Sequence, residues 1–205
     1  MTKTIDFIYD FGSPNAYLVH KVLPDLAARH GADIRYCPVL LGGVFKATGN
    51  KSPALGEGVV PAKVAYLRRE MQRFVNRHDL PFVWNPHFPI MSIHLMRGAI
   101  HAQGKFWEAA YIDAVFKACW VSGDNMSDPD TIRRELAAED LPAAEIMDAI
   151  QQPAIKTALF EGTELAVRRG CFGVPTMFVG DEMFFGKERL DQVEEEIRKQ
   201  QKTGS

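Results

Sequence analysis

The amino-acid sequence predicts an α/β protein in which the two ends of the chain form one small sheet and a block of helices lies between them. A strand–helix–strand pattern fills residues 4–37, and a strand–strand–helix pattern follows Gly170. Between these two patterns, helical periodicity dominates for about a hundred residues. Because a strand, a helix and a strand in close succession form a βαβ-like unit, we expect the first two strands to be parallel neighbours. The sequence thus favours one sheet-forming domain that carries a helical insertion.

The first βαβ-like unit is read from residues 4–37. Thr4–Tyr9 alternates and is rich in β-branched and aromatic residues, which predicts a strand. A helix is predicted over 14–30, with a kink or break at Pro24 and a stop at Gly31. Its apolar residues share one face: Tyr17, Leu18, Val22 and Leu26. The second strand is predicted over 33–37.

The middle of the chain opens with frequent glycines and prolines, which predict a loop from about Leu41. These residues are Gly42, Gly43, Gly49, Pro53, Gly56, Gly58 and Pro61. The clearest helix that follows carries its apolar residues on one face: Val64, Leu67, Met71, Phe74 and Val75. Further helices are predicted over 93–103, 106–120, 129–139 and 154–169, the last ending at Gly170.

The last part of the chain returns to strand patterns. Two apolar segments, Thr176–Val179 and Glu182–Phe185, flank a turn at Gly180 and Asp181, which predicts a hairpin. A closing helix has Leu190, Val193 and Ile197 at helical spacing.

Composition limits the class of partner. The chain has 205 residues, of which 46% are hydrophobic and 24% charged, with a formal net charge of -2. Because this charge provides no basic field for polyanions, we expect no nucleic-acid partner and no membrane partner, and a small molecule is favoured. The N-terminus lacks the apolar region of a signal peptide, and no segment is apolar for long enough to span a bilayer, which predicts a cytoplasmic protein.

The cysteines give no sign of a disulfide framework or a zinc ribbon. Cys37, Cys119 and Cys171 are odd in number, far apart and without a Cys-x-x-Cys pair. Each is most simply a small buried apolar residue.

Ser13 stands where the first strand gives way to the first helix. The first backbone N–H groups of a helix have no partner within it and attract negative charge, so a thiolate or a phosphate could bind there. The alternative is an ordinary helix start, with Ser13 as the N-cap and Pro14 in the first helical position.

Three segments, in this order, resemble the 2-hydroxychromene-2-carboxylate isomerases and the kappa-class glutathione transferases. They are Phe11–Tyr17, Leu40–Asn50 and Phe172–Glu182. The resemblance covers nearly the whole chain and implies a thioredoxin-like fold with a large all-helical insertion, as in DsbA and kappa-class proteins. The implied division is a thioredoxin-like domain in two parts, residues 1–45 and 169–205, around a helical domain at residues 46–168.

The resemblance implies that Ser13 is catalytic and that glutathione is the cofactor. Related thiol–disulfide oxidoreductases have a Cys-x-x-Cys pair where this chain has Ser13 and Ala16. Without either sulfur the site cannot perform dithiol–disulfide exchange by itself. In the family, the serine hydroxyl donates to the glutathione thiol. A hydroxyl beside a helix N-terminus favours thiolate and lowers a pKa that is about 8.5 in free thiols.

The resemblance also implies further glutathione contacts. A cis Val174–Pro175 bond would leave the Val174 backbone free to pair with the tripeptide; the alternative is a plain edge-strand proline. Asn50 and Lys63 are implied contacts, Lys63 with the glycyl carboxylate, although a turn asparagine and a solvated lysine are alternatives.

The γ-glutamyl end of glutathione is assigned by the resemblance to the segment Gly186-Lys187-Glu188. The family usually has a short polar residue and then an aspartate after the glycine. Glu188 could replace the aspartate with a longer reach. Lys187 departs from the pattern and changes the local charge.

The implied activity is glutathione-dependent cis–trans isomerisation of 2-hydroxychromene-2-carboxylate in aromatic catabolism. The same residues would serve a kappa-class transferase acting on other electrophiles, and a non-catalytic glutathione binder is a further alternative. The expected partners are glutathione and a small aromatic or electrophilic substrate, in a protein that the family resemblance implies is a homodimer.

Other candidates are less specific. His87, His94 and His101 recur every seven residues, but Pro86 and Pro89 interrupt a common helix, and no metal site is predicted. Four aromatic residues could line a substrate pocket or belong to the core: Phe45, Trp84, Phe88 and Trp120. Three basic residues are further candidates for contact with a substrate carboxylate: Arg35, His94 and Arg97.

Overall fold

A central four-stranded sheet is formed by both ends of the chain in a computed structural model, which describes residues 3–52 and 59–203. The strands are β1 (Lys3–Tyr9), β2 (Ala32–Pro38), β3 (Thr176–Val179) and β4 (Glu182–Phe185), in the order β2-β1-β3-β4. β1 is parallel to β2 and antiparallel to β3, and β3 and β4 form an antiparallel hairpin. The predicted βαβ unit and hairpin are therefore confirmed.

β1 lies inside the sheet and is buried on both faces. Ile5 pairs with Ile34 on one side and Val179 on the other. Because successive side chains of a strand point to opposite faces, Ile5 and Phe7 enter the larger apolar core, whereas Ile8 enters a smaller cluster with Phe178.

Nine α-helices lie within the described residues. They are α1 (Pro14–Arg29), α2 (Leu41–Thr48), α3 (Pro61–His78), α4 (Ile93–Ala102), α5 (Glu108–Lys117), α6 (Pro129–Ala138), α7 (Ala143–Ala149), α8 (Pro153–Arg168) and α9 (Leu190–Thr203). The larger core includes apolar residues of α1 and α9, and α8 supplies Ala166 to the smaller cluster. Helices thus cover both faces of the sheet.

The structure corrects the sequence prediction at four helices. Leu41–Thr48 is helical where a loop was predicted, and α1 continues through Pro24 without a break. α7 was not predicted at all. The helix predicted over 106–120 is α5 followed by one turn of π-helix at Ala118–Ser122. Of the predicted loop residues, Pro53, Gly56 and Gly58 lie outside the described residues.

One predicted domain boundary falls inside a helix, and the other falls at the end of a helix. The boundary between residues 45 and 46 falls inside α2, and the one between residues 168 and 169 falls at the end of α8. The division into domains stays a prediction. None of the helices in the described ranges combines the length and the hydrophobicity needed to cross a membrane.

Candidate active site at the start of helix α1

Ser13 caps the first turn of α1. Its backbone is extended, and its Oγ accepts a hydrogen bond from the Ala16 N–H at 3.2 Å. The Ser13 N–H donates to the Asp10 carbonyl at 3.0 Å, which closes the turn between β1 and α1. Only 6% of Ser13 is exposed. The helix-cap interpretation is therefore correct, and it leaves the hydroxyl proton available for a second partner.

The Ser13 hydroxyl points across the site to the cis-proline segment. Its O–H donates to the Val174 carbonyl oxygen at 3.4 Å, a long hydrogen bond between residues far apart in the sequence. The Val174–Pro175 peptide bond is cis, as the resemblance implied. Within the described part of the chain, the Val174 N–H has no hydrogen-bond acceptor. One weakly held hydroxyl donor and one free backbone donor therefore lie on facing segments.

Asp10 holds the turn that carries Ser13. Its carboxylate accepts from the Gly12 N–H at 2.8 Å and from the Leu41 N–H at 2.7 Å, and Ser92 is a further hydrogen-bond partner. Asp10 is 1% exposed. Burial raises the pKa of this carboxyl, and the hydrogen bonds from Ser92, Leu41 and Gly12 oppose that rise. Asp10 thus ties the Ser13 turn to the starts of α2 and α4.

The sequence prediction did not include Asp10 among the site residues. A signal was present, because an acidic residue directly follows an apolar strand and precedes the Gly12-Ser13 turn. A buried carboxylate needs several donors, and the turn and the start of a helix provide them.

The helical block fixes Phe11 from two sides. The Phe11 N–H donates to the Met96 sulfur at 3.3 Å, and the Trp120 indole N–H donates to the Phe11 carbonyl at 2.8 Å. Trp120 is fully buried, and its ring lies 6.5 Å from that of Trp84 and 6.1 Å from that of Phe88. Of the four aromatic candidates, Trp120 thus belongs to the core, and Trp84 and Phe88 pack against it.

Asn50 lies beside the cis-proline segment. Its side-chain N–H donates to the Phe172 carbonyl at 2.8 Å, and its Nδ2 is 3.9 Å from the position a Cβ would take at Gly173. Asn50 is therefore brought towards Val174 and Pro175. Lys63 is exposed near the start of α3, and in the described ranges no hydrogen bond joins it to Ser13 or Val174.

The three residues of the segment Gly186-Lys187-Glu188 lie in two different environments. The Gly186 N–H donates to the Pro175 carbonyl at 2.9 Å, so Gly186 adjoins the site. Lys187 is 4% exposed, forms an ion pair with Glu188 and lies 5.6 Å over the ring of Phe74.

Lys187 and Glu188 line a cavity of about 460 Å³ between α1, α3 and the start of α9, and Ser13 is not among its described lining residues. Their assignment to the γ-glutamyl end of glutathione therefore gains no support from their position.

Within residues 3–52 and 59–203, the remaining candidate residues from the sequence form no hydrogen bond with Ser13 or Val174. Arg35 forms a two-pronged ion pair with Asp6, and His101 pairs with Glu145. Burial, with the nearby positive charge of Arg97, lowers the pKa of His94. Among the described residues, no group of three or more His, Cys, Asp or Glu side chains could hold a metal ion.

The fold and the site define the class of this protein. The chain belongs to the family of DSBA-like thioredoxin domains, whose model matches residues 4–198. The predicted α/β thioredoxin-like fold of the DsbA type is therefore confirmed. Positions 13 and 16 hold serine and alanine, so the start of α1 has no Cys-x-x-Cys pair there and cannot perform dithiol–disulfide exchange by itself.

Within this family, the chain is similar to 2-hydroxychromene-2-carboxylate isomerases. It is 34% identical to the one from Sphingobium xenophagum, over 95% of this chain and 97% of that protein. A solved structure of such an isomerase has a TM-score of 0.86 and 29% identity, and the match covers 98% of this chain and 97% of that one. Human glutathione S-transferase kappa 1 is 24% identical, over 93% of this chain and 89% of that protein. The expected relation to these two groups of enzymes is confirmed.

Proposed function

We propose that this protein is a glutathione-dependent isomerase that acts on 2-hydroxychromene-2-carboxylate or a close aromatic analogue. The isomerases of this name share 33–34% identity with the chain across almost its full length, which supports this substrate class. The kappa-class relatives support glutathione as the thiol. The homodimer and the cytoplasmic location stay predictions.

The observation that carries the proposal is the position of the Ser13 hydroxyl. It lies at the N-terminus of α1, and within the described residues its proton is engaged only by the 3.4 Å bond to Val174. A thiolate at this end of the helix would meet the positive end of the helix dipole and a hydroxyl that can turn towards it. Both interactions favour the charged form and lower the pKa of a bound thiol.

The Val174 backbone supports the binding of a peptide-like cofactor. Its N–H has no acceptor in the described part of the chain, and the carbonyl of the same residue accepts from the Ser13 hydroxyl. Glutathione is an extended tripeptide, and a backbone pair with Val174 would resemble the addition of a short strand. Asn50, held at Phe172, lies close enough to this segment to contribute a side-chain amide.

In this mechanism Ser13 and the α1 N-terminus hold negative charge on a sulfur atom. Glutathione held there by Ser13 and Val174 would supply a thiolate nucleophile for reversible addition to the conjugated system of the substrate. The Ser13 hydroxyl and the α1 N-terminus would stabilise the negative charge of that sulfur before it adds and again after it is released. Asp10 keeps the Ser13 turn in place through Gly12 and Leu41.

A second candidate function is glutathione transfer to other electrophiles, which the kappa-class relatives favour. In that case the C–S bond would persist and glutathione would be consumed. A non-catalytic glutathione binder predicts binding without turnover. The two enzyme functions share Ser13 and differ in whether the C–S bond of the adduct is broken again.

An assay of 2-hydroxychromene-2-carboxylate conversion, with and without glutathione, tests the proposal. We expect turnover by the wild-type protein to require glutathione and to fall at least about a hundredfold in Ser13→Ala, the range for loss of one donor to a developing charge. Asp128→Ala is the matched control, because Asp128 caps a different helix, α6, through the Thr131 N–H. Turnover without glutathione, or equal turnover in Ser13→Ala, would refute the proposal.

A further inference from the structure

A second cavity lies between α2, α4 and α8. Its volume is about 520 Å³, which is within the range of small-molecule sites. Much of its lining is apolar and comes from Leu40, Ala47, Ile93, Leu159, Phe160 and Val167. Ser13 is not among the described residues that line it. The cavity is therefore distinct from the site at the start of α1.

The apolar lining is accompanied by three cations. Lys46, Arg97 and Lys156 line the cavity, and none of them forms an ion pair with a described residue. One acidic residue, Glu164, is among the described lining residues, and its carboxylate lies 3.6 Å from Arg168. The lining therefore favours a ligand with negative charge and an apolar body.

Arg97 is the strongest indication of a ligand. Its Nε is buried and has no hydrogen-bond partner within the described ranges. An arginine remains charged, and a buried donor without an acceptor is unfavourable. Arg97 also lines the cavity, so an anionic group beside its guanidinium would be stabilised. The planar guanidinium fork matches a carboxylate in geometry, because two parallel N–H groups can meet its two oxygens.

The walls of this cavity are joined to one another. The Leu40 N–H, just before α2, donates to the Thr163 Oγ1 on α8 at 3.0 Å, and that hydroxyl donates to the Leu159 carbonyl at 2.7 Å. Next to Arg97, Gly98 allows the close approach of Tyr111, whose hydroxyl donates to the Leu95 carbonyl at 2.8 Å. The helix that carries Arg97 is therefore fixed, and the cavity exists before a ligand enters.

We propose that this cavity binds a small aromatic carboxylate, separately from glutathione. The carboxylate lies against the Arg97 guanidinium, with Lys46 and Lys156 contributing positive charge. The ring packs on the apolar wall that Phe160 and Leu159 provide. Phe160 is 62% exposed, and a bound ring would cover part of this surface. The site requires neither Ser13 nor the proposed isomerase activity.

Titration with 2-naphthoate, followed by its fluorescence, tests this site. We expect saturable binding to the wild-type protein, and weaker binding of the neutral 2-naphthamide. Arg97→Gln should weaken naphthoate binding at least about tenfold, the effect of losing a hydrogen bond to a charged group. Arg133→Gln is the control, because Arg133 is an exposed arginine of α6 that pairs with Asp130 outside the cavity.

A second variant keeps the test decisive if Arg97→Gln does not fold. Lys156→Gln changes an exposed residue on the rim and should weaken naphthoate binding about two- to threefold. Equal naphthoate affinity in wild type, Arg97→Gln and Lys156→Gln would overturn the proposal, as would the absence of binding. Displacement of naphthoate by glutathione, or its loss in Ser13→Ala, would place the ligand at the α1 site and would also overturn it.

Discussion

The Asp10 carboxylate accepts a hydrogen bond from the Leu41 N–H at 2.7 Å, across 31 positions of sequence. Its second oxygen accepts from the Gly12 N–H at 2.8 Å. One buried side chain therefore connects the turn that presents Ser13 with the first residue of α2. This link holds the Ser13 turn against the start of the Leu40–Asn50 segment.

Asp10→Asn should weaken this link. The amide keeps one carbonyl oxygen but places an N–H₂ group against a backbone N–H, so a buried donor loses its acceptor. We expect the free energy of unfolding to fall by about 1–3 kcal/mol, measured by urea denaturation. Asp33→Asn, on an exposed part of β2, is the control and should behave as wild type. Equal stability of Asp10→Asn and wild type would show that the link contributes nothing.

The buried Asp10 carboxyl should also make the free energy of unfolding depend on pH. Burial raises its folded-state pKa above the ordinary value of 3.8, so the native state keeps a proton that the unfolded chain releases. Its contribution to stability is complete below pH 3.8 and is lost as the pH rises through the folded pKa. We expect wild type to lose stability relative to Asp10→Asn over this interval. Outside this pH interval, the difference in unfolding free energy between wild type and Asp10→Asn should not change with pH.

Asp6 should affect the pH dependence of stability in the opposite direction to Asp10. Burial raises its pKa, but the hydrogen bonds and charges of Arg35 and Arg169 lower it overall to below 3.8. Its contribution to stability is therefore present above pH 3.8 and is lost as the pH falls through the folded pKa. Asp6→Asn should remove this part of the acid sensitivity, measured by urea unfolding from about pH 2 to 5. An unchanged acid slope in Asp6→Asn would contradict the assignment.

Gly98 is expected to tolerate no larger residue. A Cβ built at this position would lie 2.0 Å from the Tyr111 hydroxyl oxygen, which is held by the Leu95 carbonyl. Gly98→Ala should lower the free energy of unfolding by about 1–3 kcal/mol, because α4 and α5 would have to separate. Gly42→Ala is the matched control, since a Cβ there meets no atom within 4 Å. That control should stabilise α2 by up to about 1 kcal/mol. Equal thermal denaturation of both variants would contradict the packing argument.

The sheet could be predicted from sequence because its strands have local signals. Alternation in β1 and the Gly180-Asp181 turn between β3 and β4 are properties of short segments. α2 could not be predicted in the same way, because Gly42 and Gly43 disfavour a helix locally. The contacts that compensate come from distant residues, namely Asp10 at the Leu41 N–H and Thr163 at the Leu40 N–H.

The same distinction applies to the candidate site, where some features follow from sequence motifs and others depend on packing between distant residues. Ser13 is part of a local motif, and the family resemblance implies the cis Val174–Pro175 bond; in the structure the Ser13 Oγ lies 3.4 Å from the Val174 carbonyl oxygen. The direction of Lys187 does not follow from its motif, because its burial against Phe74 depends on the packing of α3. Arg97 is one of three basic residues that the sequence offers for contact with a substrate carboxylate, and the sequence does not show what surrounds it. Its unpartnered Nε becomes visible when α2, α4 and α8 surround it.

The ultraviolet absorbance of glutathione thiolate, titrated against pH in the presence of wild-type protein and of Ser13→Ala, tests the central claim most directly. Asp128→Ala serves as the control for the loss of a helix cap. We predict that glutathione bound to wild type and to Asp128→Ala ionises well below the free value of about 8.5, and that Ser13→Ala loses this shift. Failure of glutathione to bind, or an equal thiol pKa with wild type and Ser13→Ala, would contradict the account and leave Ser13 as a helix cap alone.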